Sequence, residues 1–387
     1  MKTHQIAVVG CGAFARQFHL PNIRANPRLA LATVCDLDRD VAEACAREFG
    51  GDRFTDDWHS VVNDPSIDLI LLATHTQLRS EFILPAVRAG KPVYVEKPLA
   101  ATQEEMVTIV RASRQAGVPV CVGHNRRSSP AVLELRRLVA KVRGGRIGWL
   151  PSVDRSDQGT REPVPEQRQM QMLIRVNDDC RSWKDWVFAD PEGILFAEMV
   201  HFIDVALWLN AFPPVRVFAE GSARGNFTLA IRFEDGSTTT VHHTLAGHFD
   251  APKELIEVAL NHVSIVFDHH VELRQWGLED EPFRTMYPFT VHGGSQAGSG
   301  IEAYYEAVAK GVERARKEGT PPPFLTPDKG HARHLDRFLD CIENGGENPC
   351  DVVDAVVVTR VALKLLQSIR LGIPLPVGPE DWHVPAV

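Results

Sequence analysis

The stretch VVGCGAFARQFHL, residues 8–20, runs from β-branched residues through two glycines into a helical pattern. It reads as Gly10-x-Gly12-x-x-Ala15 placed between a strand and a helix. Gly10 permits a tight turn, Gly12 lets backbone come close to a pyrophosphate, and the small Ala15 lets the helix pack closely on the strand. The helix start then offers free N–H groups and a partial positive charge to an anion. A turn that needs glycines for its own sake would look the same, so the surroundings decide.

Working outward, QIAVVG (5–10), LALATVCD (29–36), DLILLAT (68–74), PVYVE (92–96) and VPVCVG (118–123) are short runs rich in Val, Leu and Ile. Amphipathic stretches such as DRDVAEACAREFG and TQEEMVTIVRASRQAG separate them, the second closing on a glycine cap. Near-continuous apolar strands divided by helices predict a parallel sheet covered on both faces, a doubly wound domain. Asp36 ends the second strand, where an acid accepts ribose hydroxyls and repels a 2′-phosphate. That favours NAD over NADP, although the nearby Arg39 leaves NADP open. Asp36 as a plain helix N-cap is the other reading.

Beyond about residue 150 the rhythm changes. An irregular polar segment, 151–192, precedes a helix near 194–210. Period-2 runs follow: VRVFAEG, FTLAIRFEDGSTTTVHHTLAG and KELIEVALNHVSIVFDHHVELRQWG. Glu234-Asp235-Gly236 between two of these runs signals a hairpin. The expected fold is α/β: an N-terminal Rossmann domain over 1–126, then an α+β domain over 127–387 built on a largely antiparallel sheet. Its last helix, about 351–371, is expected to pack back toward the first domain.

Among 387 residues, 44% are hydrophobic and 24% charged, as in ordinary globular proteins. A net charge of −8 with no basic stripe argues against nucleic-acid binding. The start, MKTHQIAVVG, shows no leader pattern, and the longest greasy helix carries Glu198, His201 and Asp204, so no membrane span is expected. Seven cysteines follow neither metal nor disulfide spacing, which fits a reducing cytoplasm.

The strand VYVEKPLA, residues 93–100, ends in a carboxylate, an ammonium and a proline at the sheet edge where such folds bind ligands. Pro98 biases Lys97 toward extended backbone. With GCGAFA at the first turn, EKPLA twenty-odd residues after LLAT, and VGHNRR at 122–127, the chain resembles the Gfo/Idh/MocA family of NAD(P)-dependent oxidoreductases. The likeness is strongest over about 5–130 and continues more loosely through the 194–210 helix and the closing helix. It implies that Lys97 is catalytic beside the nicotinamide and that Glu96 touches the cofactor. The cofactor set it implies is Gly10, Gly12, Phe14, Ala15, Asp36, Ala73, Thr74, Glu96 and Lys97.

Glu198, His201 and Asp204 bend round one side of a helix. A histidine on a greasy helix is commonly a satisfied core residue, and Glu-x-x-His is also half of a di-iron site. That site needs a second copy, and Glu380 to His383, the only other instance, lies in a proline-bounded tail, so no metal is expected. The resemblance instead makes His201 the base facing the substrate hydroxyl, with Asp204 completing His-x-x-Asp. Many members carry an acid where Ala197 stands, and Glu198 resembles a subgroup with Glu in its place. Arg127 and Asn177 match substrate contacts, and Trp183, Lys184 and Trp186 are candidates to face a sugar. The family often has Pro and Asn where His75 and Thr76 stand, and His where Arg79 stands. The histidine pairs 242–243 and 269–270 lie in strand-like runs, where neighbours point to opposite faces and do not chelate together.

The resemblance implies a dehydrogenase for a sugar, a polyol or a sugar derivative. An NAD-dependent glycosidase, oxidising its substrate transiently, is the alternative. A homodimer or homotetramer is expected, because the antiparallel sheet carries apolar residues on both faces. A monomer with that face covered by 281–330 is the competing reading.

Overall fold

The computed structural model describes residues 2–145, 166–183, 188, 193–248, 250–291 and 294–384. The chain forms two compact units: 1–125 with 331–360 and 380–387, and 126–330 with 361–379. On its first pass the chain divides between Asn125 and Arg126, and the helix His331–Asn344 groups with the first unit. The helix Val352–Leu371 is divided, its residues 352–360 counted with the first unit and the rest with the second.

In the first unit, β1 (His4–Val9), β2 (Leu29–Cys35), β3 (Arg53–Thr55), β4 (Leu69–Leu72), β5 (Val93–Val95) and β6 (Val120–Val122) form one sheet in the order β3-β2-β1-β4-β5-β6. Every pair is parallel. The order reverses between β1 and β4, the topological switch point at which such sheets bind ligands. Ile6, Val8, Leu69 and Leu71 form the core with Leu335, Phe338 and Leu339 of the helix His331–Asn344. Thr102 and Glu105 close a capping box on the helix Gln103–Ala116, which ends at Gly117 with φ +64°.

The second unit holds β7 (Gln171–Asn177), β8 (Pro214–Gly221), β9 (Phe227–Phe233), β10 (Thr238–Thr244), β11 (Glu254–Leu260), β12 (Val263–Asp268), β13 (Glu272–Trp276), β14 (Arg284–Met286) and, late in the chain, β18 (Leu375–Pro376). They join as β14-β13-β12-β11-β7-β10-β9-β8-β18, antiparallel except where β7 meets β10. A small sheet β16-β15-β17 unites β15 (Pro288–Val291), β16 (Gln296–Ser299) and β17 (Leu325–Pro327). The hairpin at Glu234-Asp235-Gly236 joins β9 to β10, with Gly236 at φ +89°. His242 and His243 do lie in β10, but His269 and His270 do not lie in a strand. With φ values of 49° and 62° they open the three-residue turn, 269–271, between β12 and β13.

Candidate active site

In the first unit, the glycine turn leaves the carboxyl end of β1. Gly10 has φ +93°, and a Cβ there would lie 2.7 Å from the Ala73 carbonyl oxygen, so only glycine lets these two backbones abut. A Cβ on Gly12 would meet nothing within 4 Å, which leaves the outer side of the turn open to an approaching ligand. Ala15 is buried beneath, in a π-helical turn, Ala15–His19, that runs into the helix Leu20–Ala25. Phe14 stays 39% exposed, its ring against Phe18 and His19.

Asp36 stands at the end of β2. One carboxylate oxygen accepts from Cys11 N at 2.7 Å and the other from Asp38 N at 3.1 Å. It is not the N-cap of the next helix, because Asp38 takes that place by accepting from Asp40 N and Val41 N. The acid is thus held beside the glycine turn with lone pairs to spare. Arg39 lies over the Phe54 ring and bonds Asp56 at 3.3 Å. Thr74, just past β4, has a buried Oγ1 with no hydrogen-bond partner among the described residues. These features fit a dinucleotide: an open glycine turn, a fixed acid and an orphaned hydroxyl at the switch point.

Glu96, Lys97 and Pro98 follow β5, and the Lys97–Pro98 bond is cis. The Glu96 carboxylate is buried against His19 Nε2 at 2.8 Å. Burial opposes its ionisation, but the His19 bond and charge, with Lys97 and Arg79, hold it down at about 2. A Cβ on Gly123 would sit 2.8 Å from Glu96 Oε1, so the glycine of VGHNRR makes room for this carboxylate. His19 escaped the sequence reading. Its signal was its place one turn after Ala15, on the buried side of the same helix.

In the second unit, Glu198 closes a π-helical turn, Leu195–Met199, that continues as the helix Val200–Leu209, with His201 in its first turn. His201 is 5% exposed and Asp204 fully buried. Consecutive arginines hold both acids. Arg126 Nη2 donates to Glu198 at 2.9 Å, while Arg127 donates to Asp204 from Nε at 3.0 Å and from Nη2 at 2.6 Å. Arg127 is 1% exposed, so its Nε–Nη2 edge is spent on the helix flanking His201. A sugar hydroxyl would have to find another part of it.

Arg126 also bridges to Glu254, which takes Lys329 at 3.0 Å and His270 at 2.8 Å. Burial opposes a charge on Glu254, yet Arg126, Lys329 and His270 keep it well below the usual carboxylate range. Lys253 Nζ lies 2.9 Å from Asp178 and 3.0 Å from Glu198, with the Trp183 ring 5.6 Å away. Burial presses its ammonium down, but Glu198 and Asp178 prevail and raise it. Glu198 is therefore a member of a charge network with Arg126 and Lys253. Neither Lys253 nor Glu254 was singled out from the sequence, where alternation alone places them. Asn177 ends β7 and donates to the His248 carbonyl at 3.2 Å. Lys184 and Trp186 lie outside the described residues.

The parallel sheet, its glycine turn and the acid of β2 define a Rossmann-type oxidoreductase that binds NAD. Residues 4–124 match the model of the oxidoreductase family with an NAD-binding Rossmann fold, the Gfo/Idh/MocA family. The chain is 30% identical over 292 residues to inositol 2-dehydrogenase 2 of Saccharopolyspora erythraea, covering 72% of this chain and 78% of that one. With scyllo-inositol 2-dehydrogenase (NAD(+)) of Bacillus subtilis it shares 33% over 148 residues, 38% and 42% of the two chains. Levoglucosan dehydrogenase, solved with NADH and L-sorbose, superposes with a TM-score of 0.73 over 98% of this chain and 100% of its own, at 21% identity, a likeness of fold. The chain belongs to the Gfo/Idh/MocA family of oxidoreductases. No helix among the described residues is long and apolar enough to cross a membrane.

Proposed function

We propose that the chain is an NAD-dependent dehydrogenase for a secondary alcohol of a sugar, a polyol such as an inositol, or a sugar derivative. The observation that carries this is Glu96-Lys97-Pro98 at the carboxyl end of β5, on the same sheet edge as the open glycine turn and Asp36. The inositol dehydrogenases among its relatives support a polyhydroxylated substrate. The two relatives and the solved neighbour named above are dehydrogenases, which leaves the glycosidase reading without support.

In this mechanism His201 accepts the hydroxyl proton as general base. The Lys97 ammonium steadies the oxygen as negative charge gathers on it. The carbon–hydrogen bond breaks with its electron pair, leaving a ketone. Bound NAD supplies the hydride acceptor. Asp36 would take the ribose hydroxyls, which favours NAD over NADP, and Asn177, Glu198, Arg127 and Trp186 are the candidates for the sugar. No disulfide joins cysteines among the described residues, which supports the cytoplasm as its location. An NADH-formation screen over free sugars, inositols, sugar acids and glycosides tests the reading. Turnover of at least one free polyol or sugar is the expected result, and glycoside cleavage without net NADH would replace it.

A further inference from the structure

Arg79 begins the helix Arg79–Arg88 and is 5% exposed, a costly place for a guanidinium unless its donors are met. No carboxylate among the described residues hydrogen-bonds it. Its Nε and Nη2 donate to the Thr74 carbonyl at 3.1 and 2.9 Å, and its Nη1 to the Glu96 carbonyl at 2.5 Å and to the Pro98 carbonyl. Burial draws the group down to about 10, with Glu96 opposing, so it stays charged at neutral pH.

Two of the three carbonyls bracket Lys97, one residue before it and one after. The third belongs to the segment leaving β4, the neighbouring strand. A planar fork with fixed donor directions sets the spacing of three acceptors, which a single flexible ammonium does not. We propose that Arg79 is a positioning residue for Lys97: its guanidinium ties the backbone on both sides of Lys97 to the exit of β4, and so fixes where the ammonium points. The proposal rests on Lys97 acting at the reacting oxygen.

The test is a double-mutant cycle of Arg79→Lys and Lys97→Ala, with kcat measured at saturating NAD and the best substrate of the screen. Arg79→Lys keeps the charge and loses the fork. Its kcat is expected to fall on the order of 10- to 100-fold, as for a misplaced catalytic group. In the Lys97→Ala background the same change is expected to cost less than about threefold, because the group it positions is gone. Equal losses in both backgrounds overturn the proposal and leave Lys97 catalytic. Near-wild-type turnover of Lys97→Ala overturns the role of Lys97, and the proposal with it. Amide exchange supplies a reading without cofactor: the Lys97 amide should exchange faster in Arg79→Lys, and unchanged exchange counts against the tie. Should Arg79→Lys fail to fold, Arg79→His, the side chain the family often carries here, replaces it in both measurements.

Discussion

On the proposed mechanism Lys97 and His201 answer charge and protons that move only during the reaction, whereas the glycine turn and Asp36 would serve the bound cofactor. Lys97→Ala and His201→Ala should therefore each lower kcat far more than they weaken NAD binding, by roughly 10²–10⁴-fold for the lost base. NAD titration beside steady-state kinetics checks this, and near-wild-type turnover would remove either residue from the mechanism. On the same reading Asp36 would carry the preference for NAD, since its fixed carboxylate would repel a 2′-phosphate. Equal or better kcat/KM with NADP would contradict that role. Glu96 makes a prediction about pH. Its carboxyl is held at about 2 against an ordinary 4.5, so the stability it lends is complete above about 4.5 and is lost as pH falls through 2. The difference is about 3 kcal/mol. Glu96→Gln should flatten that part of the acid limb in urea unfolding measured from pH 7 to 2.

At the scale of elements, the helix Val200–Leu209 shows how a side chain is fixed in place. It is held by arginines that leave β6 together, Arg126 on Glu198 and Arg127 on Asp204. Removing one partner of a buried pair strands the other charge, so Arg127→Met should destabilise the protein by about 3–5 kcal/mol. Urea unfolding measures it, and a loss below 1 kcal/mol would mean that the pair is not what holds the helix. The parallel half was legible because its signals are local: apolar runs, a glycine turn, an acid at a strand end. The partners were not. Nothing near Arg126 announces Glu254, and nothing in HARHLDRFLDCIEN says which sheet Leu335 and Phe338 will cover. The His269–His270 turn was hidden because no glycine marks its positive-φ positions.

At the scale of the whole molecule, the question is what the nine-stranded sheet does with its second face. One face is core: Ile174, Ile231, Val241, Ile256 and Ile265 are at most 2% exposed. The alternate positions turn the other way, where Leu173 pairs with Thr240 and Glu257, Ala230 with Phe218, and Val266 with Glu257. That face mixes apolar with polar side chains, and Leu173 is 40% exposed. Such a mixture suits a surface shared between subunits, where composition stays close to that of ordinary surface. The helix Ile301–Glu318 supplies Tyr304 to His269 at one end of the sheet, yet Leu173 on the middle strand stays in water. A second copy related by a two-fold axis would cover it. Light scattering at micromolar concentration should then give a mass near two or four times the 43.0 kDa of one chain. Leu173→Arg, which sets like charges against each other across that axis, should shift the mass toward a single chain while each chain stays folded. A wild-type mass of 43.0 kDa would mean that this face carries its apolar residues into solvent for some other reason.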